Sequence, residues 1–238
     1  MTTATYSTIC AALGGGLLIA LVVALFSLVA MVVRWKTPKR RGHVIRLLVS
    51  VAALPCLIGI QQAILWLVFL PALGREQMAE LNATRAKQLA ETTLVQVGDS
   101  APAFSLTTID GDTVSLPSPD KVVLINFFAT WCGPCQLELP HIDQIWSHLK
   151  DDDRFQLVVI GREETPESVR KFRDEHRFLF PMAADPECDV YSRFAKELIP
   201  RTIVVSADGQ IVYSKVGFYQ ADIDELNAVL TDQLSTVK

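Results

Sequence analysis

The sequence predicts an α/β domain, with a mixed central sheet flanked by helices, preceded by two transmembrane α-helices. Three observations lead there. Two long runs near the N-terminus carry no charge. From about Val95 onward, apolar runs of strand length alternate with helix-compatible stretches and two hairpin signals. Within that alternation the apolar run Val122 to Phe128 leads straight into Ala129-Thr130-Trp131-Cys132-Gly133-Pro134-Cys135, and a helix-compatible run leads out.

Ile9 to Val33 is 25 residues without a charge, and Leu47 to Leu70 is 24. Each is long enough to cross a hydrocarbon core of ~30 Å as a helix. A cleaved signal peptide fits poorly, because the first run lacks a basic leader, is too long, and is followed by a second span. Between them lies a basic stretch that includes Arg34, Lys36, Lys39, Arg40, Arg41 and Arg46. Basic loops stay on the cytoplasmic side, so both termini are expected outside the cytoplasm. Residues 1–73 thus read as a two-span anchor with a basic cytoplasmic loop at 34–46. Cys10 and Cys56 differ in depth by roughly a dozen ångströms at ~1.5 Å per residue, too far for a disulfide with its ~7 Å Cα limit. Both read as small hydrophobic residues.

Residues 74–94 are rich in Glu, Gln, Ala, Lys and Arg and read as a helical juxtamembrane linker. Residues 95–238 form one domain of ordinary size. All 26 acidic residues of the chain lie after residue 73, against six of its 22 basic residues before that point. An acidic globule argues against nucleic-acid binding, which needs basic patches to neutralise phosphates.

In order, Phe104 to Thr108 and Thr113 to Leu116 read as a hairpin about Asp110-Gly111. Val122 to Phe128 has the near-continuous apolar pattern of a strand buried on both faces. Gln136 to Leu149 is the helix behind the thiols, and Phe155 to Ile160 a second buried strand. Thr165-Pro166 opens a helix, with Thr as cap and Pro in the first turn. Phe180 to Ala183 is a short extended piece and Glu187 to Glu197 a further helix. Arg201 to Ser206 and Gln210 to Val216 flank Asp208-Gly209 as a second hairpin, and Ala221 to Leu234 is a closing helix.

The two thiols therefore sit at a strand-to-helix junction, with Cys132 at the helix start. Unpaired N–H groups and the helix dipole favour an anion there, and the reactive form of cysteine is the thiolate. Cys132 is expected to be exposed and Cys135, one turn in, shielded. Gly133-Pro134 keeps the turn short and removes one N–H donor. His141 and His148 lie on the same helix, but a closed zinc site needs four convergent ligands and a capping CxxC points away from that flank. No metal is expected, and no cofactor beyond the cysteine pair. Cys188 is flanked by acidic residues, which raise a thiol's pKa and make it an unpromising nucleophile.

The order strand, WCGPC, helix, strand, helix, strand, helix, Ile199-Pro200, hairpin, helix resembles thioredoxin. The fuller pattern over about residues 95–236 resembles the membrane-anchored TlpA/ResA branch of thiol-disulfide oxidoreductases. It includes Val97 to Phe104, Leu124 to Cys135 with Glu138-Leu139-Pro140 following, Phe180-Pro181 through Asp185-Pro186, and Ile199 to Val205. The resemblance implies a thioredoxin-like fold and a CxxC dithiol that reduces protein disulfides. Cys132 would attack and Cys135 would resolve. Pro200 would be a cis-proline beside the thiols, leaving the backbone of Ile199 to pair with a bound peptide. Trp131 would shape the docking surface, and Pro140 would kink the helix.

Asn126 departs from thioredoxin, which carries a buried Asp at that position. Glu138 matches an acidic residue that the TlpA/ResA branch keeps near its site, and it is expected to take over proton handling. The resemblance further implies a bacterial inner membrane location with the domain on the periplasmic side. It also implies electrons from a membrane thiol transporter, and targets such as apocytochrome c or other oxidised envelope proteins. Two other readings compete. A thiol peroxidase shares the Gly98 to Phe104 lead-in but uses a Thr-x-x-Cys site. A non-catalytic docking module has no need of intact Cys132 and Cys135.

Overall fold

The computed structural model describes residues 40–237 and seven further positions between 22 and 32. Cys10, the N-terminal part of the expected first span and the basic residues Arg34 to Lys39 lie outside the described residues. The described residues fall into two units, with the boundary between Arg85 and Ala86.

In the first unit, helix α1 (Arg40–Ile64) starts within the stretch read as a loop. It continues through a π-helical turn, Leu65–Phe69, into α2 (Leu70–Thr92), whose end from Ala86 onward belongs to the second unit. Among the described residues one helical stretch, Ile58–Thr92, is long and apolar enough to cross a membrane. Large apolar side chains stand exposed along these helices, among them Ile45, Leu48, Val49, Ile58, Trp66 and Leu67.

In the second unit, β1 (Phe104–Thr107) and β2 (Thr113–Leu116) pair antiparallel as the expected hairpin. Strand β3 (Val122–Phe128) is buried at every position and leads to α3 (Gly133–Leu149). There follow β4 (Phe155–Arg162), α4 (Pro166–His176), β5 (Met182–Asp185), α5 (Tyr191–Phe194), β6 (Arg201–Val205), β7 (Ile211–Val216) and α6 (Gln220–Thr236). The main sheet has the order β5-β4-β3-β6-β7. β3 runs parallel to β4 and antiparallel to β6, so the sheet is mixed as expected. The register places Phe127 opposite Arg201, which puts Pro200 at the same end of the sheet as the C-terminal end of β3.

Apolar side chains cover both faces, and period-two alternation assigns them. On one face α3, α4 and α6 pack over Leu124, Phe128, Leu157, Val159 and Val204. On the other, the β1–β2 hairpin, α5 and Val95 pack over Val123, Ile125, Phe127, Ile203 and Val205.

Two expectations need correction. The helix expected over Glu187 to Glu197 is a single turn, Tyr191–Phe194. The Asp185 carboxylate accepts the N–H groups of Val190 and Tyr191, which fixes a late start. At the other end Ala195 is extended because it bridges to Thr93. The short strand lies at Met182–Asp185, two residues beyond its expected place, where it pairs with Val159 to Arg162.

Candidate active site

The chain turns from β3 into α3 over Ala129 to Cys132. Cys132 is the N-cap of α3: its backbone is extended, and its Sγ accepts the N–H of Cys135 at 3.3 Å. Pro134 sits in the first turn, where a missing N–H costs nothing. Cys132 and Cys135 are joined as a disulfide, with Cα atoms 5.3 Å apart.

The expectation that Cys132 is exposed is not met in this oxidised form. Only 4% of it is accessible, against 0% for Cys135. The sulfur is turned inward to bond its partner and to accept the N–H, and both point away from water. The accessible neighbour is Trp131, at 70% exposure, so it projects from the site rather than packing beside it. Gly133 has open space where a Cβ would stand, so no contact demands glycine there. Pro140 lies inside α3, which runs unbroken through it.

The loop before the thiols is clamped by a residue that the sequence reading missed. Glu164 is buried, and its Oε1 accepts both the N–H of Thr130 at 2.8 Å and its hydroxyl at 2.6 Å. Its other oxygen accepts from Ser168, while Gln136 donates to the Thr130 carbonyl. A Cβ at Gly161 would stand 2.7 Å from Val169 and 3.0 Å from Glu164, so glycine makes room for this clamp. The available signal was position: Glu164 follows the C-terminal end of a buried parallel strand, where sites in such sheets gather.

Glu138 lies three residues beyond Cys135, on the same side of α3. Its carboxylate is buried and accepts from Asn126 Nδ2 at 2.8 Å and from the Thr202 hydroxyl at 2.7 Å. Asn126 Nδ2 also donates to Thr202 Oγ1 at 2.9 Å, which closes a three-residue ring. Burial pushes the Glu138 carboxyl above its ordinary value, and the two hydrogen bonds hold it back only in part. The position that is acidic in thioredoxin is thus neutral, yet Asn126 touches the carboxylate that α3 supplies. The Oδ1 of Asn126 is buried without a partner among the described residues.

The Ile199–Pro200 bond is cis. Around it, Arg201 donates to the Glu197 carbonyl, Tyr191 to that of Leu198, and the Gly217 N–H to that of Pro200. Among the described residues no group claims the backbone of Ile199.

The remaining candidates lie elsewhere. His141 stacks on Phe218, and His148 bonds the Gln144 carbonyl; both line a groove between α3 and α6. Cys188 is a free thiol beside Glu163 and Arg162, and burial pushes its pKa up.

Residues 96–230 match the redoxin family. The chain belongs to that family. Among redoxin relatives, the thiol-disulfide oxidoreductase ResA of Oceanobacillus iheyensis is 31% identical over 144 residues, covering 58% of this chain and 73% of its own. ResA of Bacillus cereus is 26% identical over 129 residues, covering 54% and 74%. A solution structure described as a protein disulfide isomerase of Bacteroides thetaiotaomicron is 32% identical with a TM-score of 0.59, covering 61% of this chain and 94% of that one. A crystal structure described as the thiol:disulfide interchange protein DsbE of Chlorobium tepidum is 28% identical with a TM-score of 0.52, covering 59% and 99%. This redoxin is thus a thiol-disulfide oxidoreductase of the ResA/DsbE type with a thioredoxin-like fold, and Cys132–Cys135 is its CxxC pair.

Proposed function

We propose that this redoxin reduces disulfides in proteins on the outer side of a bacterial inner membrane, to which its N-terminal region tethers it. The observation that carries the reading is the pairing of a disulfide at the N-terminus of α3 with a backbone edge at Ile199 that no group among the described residues claims. An extended peptide docked on that edge gains main-chain hydrogen bonds without regard to its side chains.

The chemistry starts from the dithiol. The Cys132 thiolate, favoured by the helix N-terminus, attacks one sulfur of the target disulfide. The target's S–S bond breaks, a mixed disulfide forms, and the other target sulfur leaves as a thiolate. Cys135 then loses its proton and attacks the Cys132 sulfur. The mixed disulfide breaks, Cys132–Cys135 forms, and the second target thiolate leaves. Two electrons have moved to the target. Glu138, one turn from Cys135 and raised by burial, takes the Cys135 proton. Trp131 offers an exposed ring to the docked chain, and Gly133 and Pro134 keep the turn between the sulfurs short. A membrane thiol transporter restores the dithiol, and apocytochrome c is one suitable target.

The tether rests on residues 1–73 as anchor and 74–94 as linker, with 95–238 as the redox domain. The exposed apolar side chains of Ile58, Trp66 and Leu67 suit lipid better than water. The basic residues of 34–46 favour the cytoplasmic side for that stretch, which supports an outer position for the redox domain.

The test uses the full chain in detergent micelles, with insulin as the disulfide and a chemical dithiol as reductant. Reduction is expected in the parent and at background level in Cys132→Ser. Equal rates in the two would sink the proposal. Thiol trapping in cells reads direction, and a mostly reduced pair is expected.

A further inference from the structure

Arg201 follows Pro200 directly, and it is the bulkiest side chain among those fully buried. Alternation along β6 sends Thr202 toward α3 and Glu138, and sends Arg201 with Ile203 and Val205 to the opposite face. There the guanidinium Nη1 donates to Thr93 Oγ1 at 3.2 Å, and Nη2 donates to the Glu197 carbonyl at 3.2 Å. Tyr191 lies beside it, donates to the Leu198 carbonyl at 2.8 Å, and carries the Arg162 guanidinium 4.7 Å from its ring centre. Among the described residues no carboxylate pairs with Arg201.

A cation buried without a countercharge is a poor source of stability, since an apolar side chain of similar volume costs less to bury. What a guanidinium supplies is a rigid fork of donors that fixes the relative position of the groups it joins. Here it joins two segments. One is the Pro200 loop, where Leu198 holds a left-handed φ of 74° that a leucine seldom adopts. The other is the stretch where α2 ends. That stretch is bound nearby a second time: Leu94 N–H donates to the Phe194 carbonyl, Lys196 N–H donates to that of Thr92, and Thr93 bridges to Ala195. The segments on either side of Ile199 are therefore tied to Thr92, Thr93 and Leu94, at the end of α2.

We propose that Arg201 is a positioning residue for protein substrates: through Thr93 and Glu197 it fixes the Ile199 backbone edge in register with the end of the linker helix. The inference deepens the docking role given above to Ile199 and rests on it. Arg201 touches no reacting atom. Its effect is confined to partners that use the backbone edge, and a small disulfide that meets only Cys132 does not sense it.

The test compares two substrates in the full chain in detergent micelles: insulin, which offers an extended peptide, and 5,5′-dithiobis(2-nitrobenzoate), which does not. Thr93→Val keeps the shape of residue 93 and removes the oxygen that accepts from Arg201. It is expected to raise KM for insulin about five-fold, which is ~1 kcal/mol at 1.4 kcal/mol per tenfold change. The kcat for insulin and the rate with the small disulfide are expected to stay at parent values. Thr93→Ser, which keeps the oxygen, is expected to keep KM at the parent value, and Arg201→Lys, which replaces the two-pronged donor by a single ammonium, to raise it. Unchanged KM in Thr93→Val overturns the proposal, and so does an equal loss with both substrates. If the parent shows no Cys132-dependent insulin reduction, the functional reading falls and this inference falls with it. An active parent with unchanged KM in Thr93→Val removes this inference alone.

Discussion

Arg201 and Thr202 are neighbours on one strand, and they meet buried charge in opposite ways. Thr202 faces Glu138, an acid whose oxygens are held by two neutral donors, Asn126 and Thr202 itself. Arg201 is itself the charge, held by neutral acceptors at Thr93 and Glu197. Neither charge has an ionic partner among the described residues. Burial destabilises both charged forms, but the consequences differ. A carboxyl can escape by taking a proton, and burial moves Glu138 toward that neutral form. A guanidinium does not deprotonate in proteins, so Arg201 remains charged and acts only through where its donors point. One face of the strand after Pro200 is thus suited to moving a proton, and the other to holding a shape.

The sharpest way to break that contrast is to remove the fixed charge. Arg201→Ala empties a fully buried site and leaves Thr93 and Glu197 without their donor. It is expected to lower unfolding stability by about 2–5 kcal/mol, the range for large-to-small core changes. Arg201→Met refills most of the volume and is expected to recover most of the loss, because the buried cation contributed little net stability. Urea unfolding followed by tryptophan fluorescence reads both. A Met variant as unstable as the Ala variant would show that the guanidinium's hydrogen bonds, and not its volume, hold this face together.

The acid side can be overloaded instead. Asn126→Asp places a second carboxylate where Nδ2 now donates to Glu138 at 2.8 Å. Two carboxylates this close cannot both ionise without strong repulsion. The expected cost is about 1–3 kcal/mol at neutral pH, shrinking toward zero in acid, where the pair shares a proton. A cost independent of pH would mean that the substitution harms packing and not charge. Combining Asn126→Asp with Glu138→Gln returns one carboxylate to the ring, and insulin reduction is expected to recover part of what Glu138→Gln alone loses.

These two faces were unequally legible in the sequence. The redox pair, its strand-to-helix setting and the cis-proline rest on local or near-local patterns: an unbroken apolar run, a capping cysteine, an Ile-Pro in a fixed order. Asn126 and Glu138 could be connected because the first lacks a charge where thioredoxin has one and the second supplies it one turn after Cys135. Arg201 and Glu164 could not be read in this way. Each is a charged residue, expected at the surface, and each is buried by partners remote in the chain, Thr93 at a separation of 108 residues and Thr130 at 34. The helix expected over Glu187 to Glu197 failed for the same reason, since the bridge from Ala195 to Thr93 ended it. Exposure of Cys132 failed for another. Helix-start placement says where a sulfur begins, and the bond to Cys135 decides where it points.

The smallest expected effect isolates the titrating charge itself. Because burial raises the Glu138 carboxyl, the native protein holds that proton to higher pH than the unfolded chain, whose ordinary value is 4.5. Between those two values the native state binds more protons, so stability falls as pH rises, with a slope of at most ~1.4 kcal/mol per pH unit. Below 4.5 both states are protonated and the contribution is fully present; above the raised native value the curve is flat again at a lower level. Glu138→Gln keeps the shape and cannot titrate. The parent's stability minus that of the variant is therefore expected to be level below 4.5, to fall as pH rises from there toward the raised native value, and to level off beyond it. The same variant is expected to lose about 10²-fold in insulin reduction, the ordinary contribution of one general base. A difference curve that rises with pH would mean that Asn126 and Thr202 outweigh burial and keep Glu138 ionised. In that case the carboxylate would be a hydrogen-bond anchor for β6, as Arg201 is on the other face, and proton transfer from Cys135 would need another acceptor.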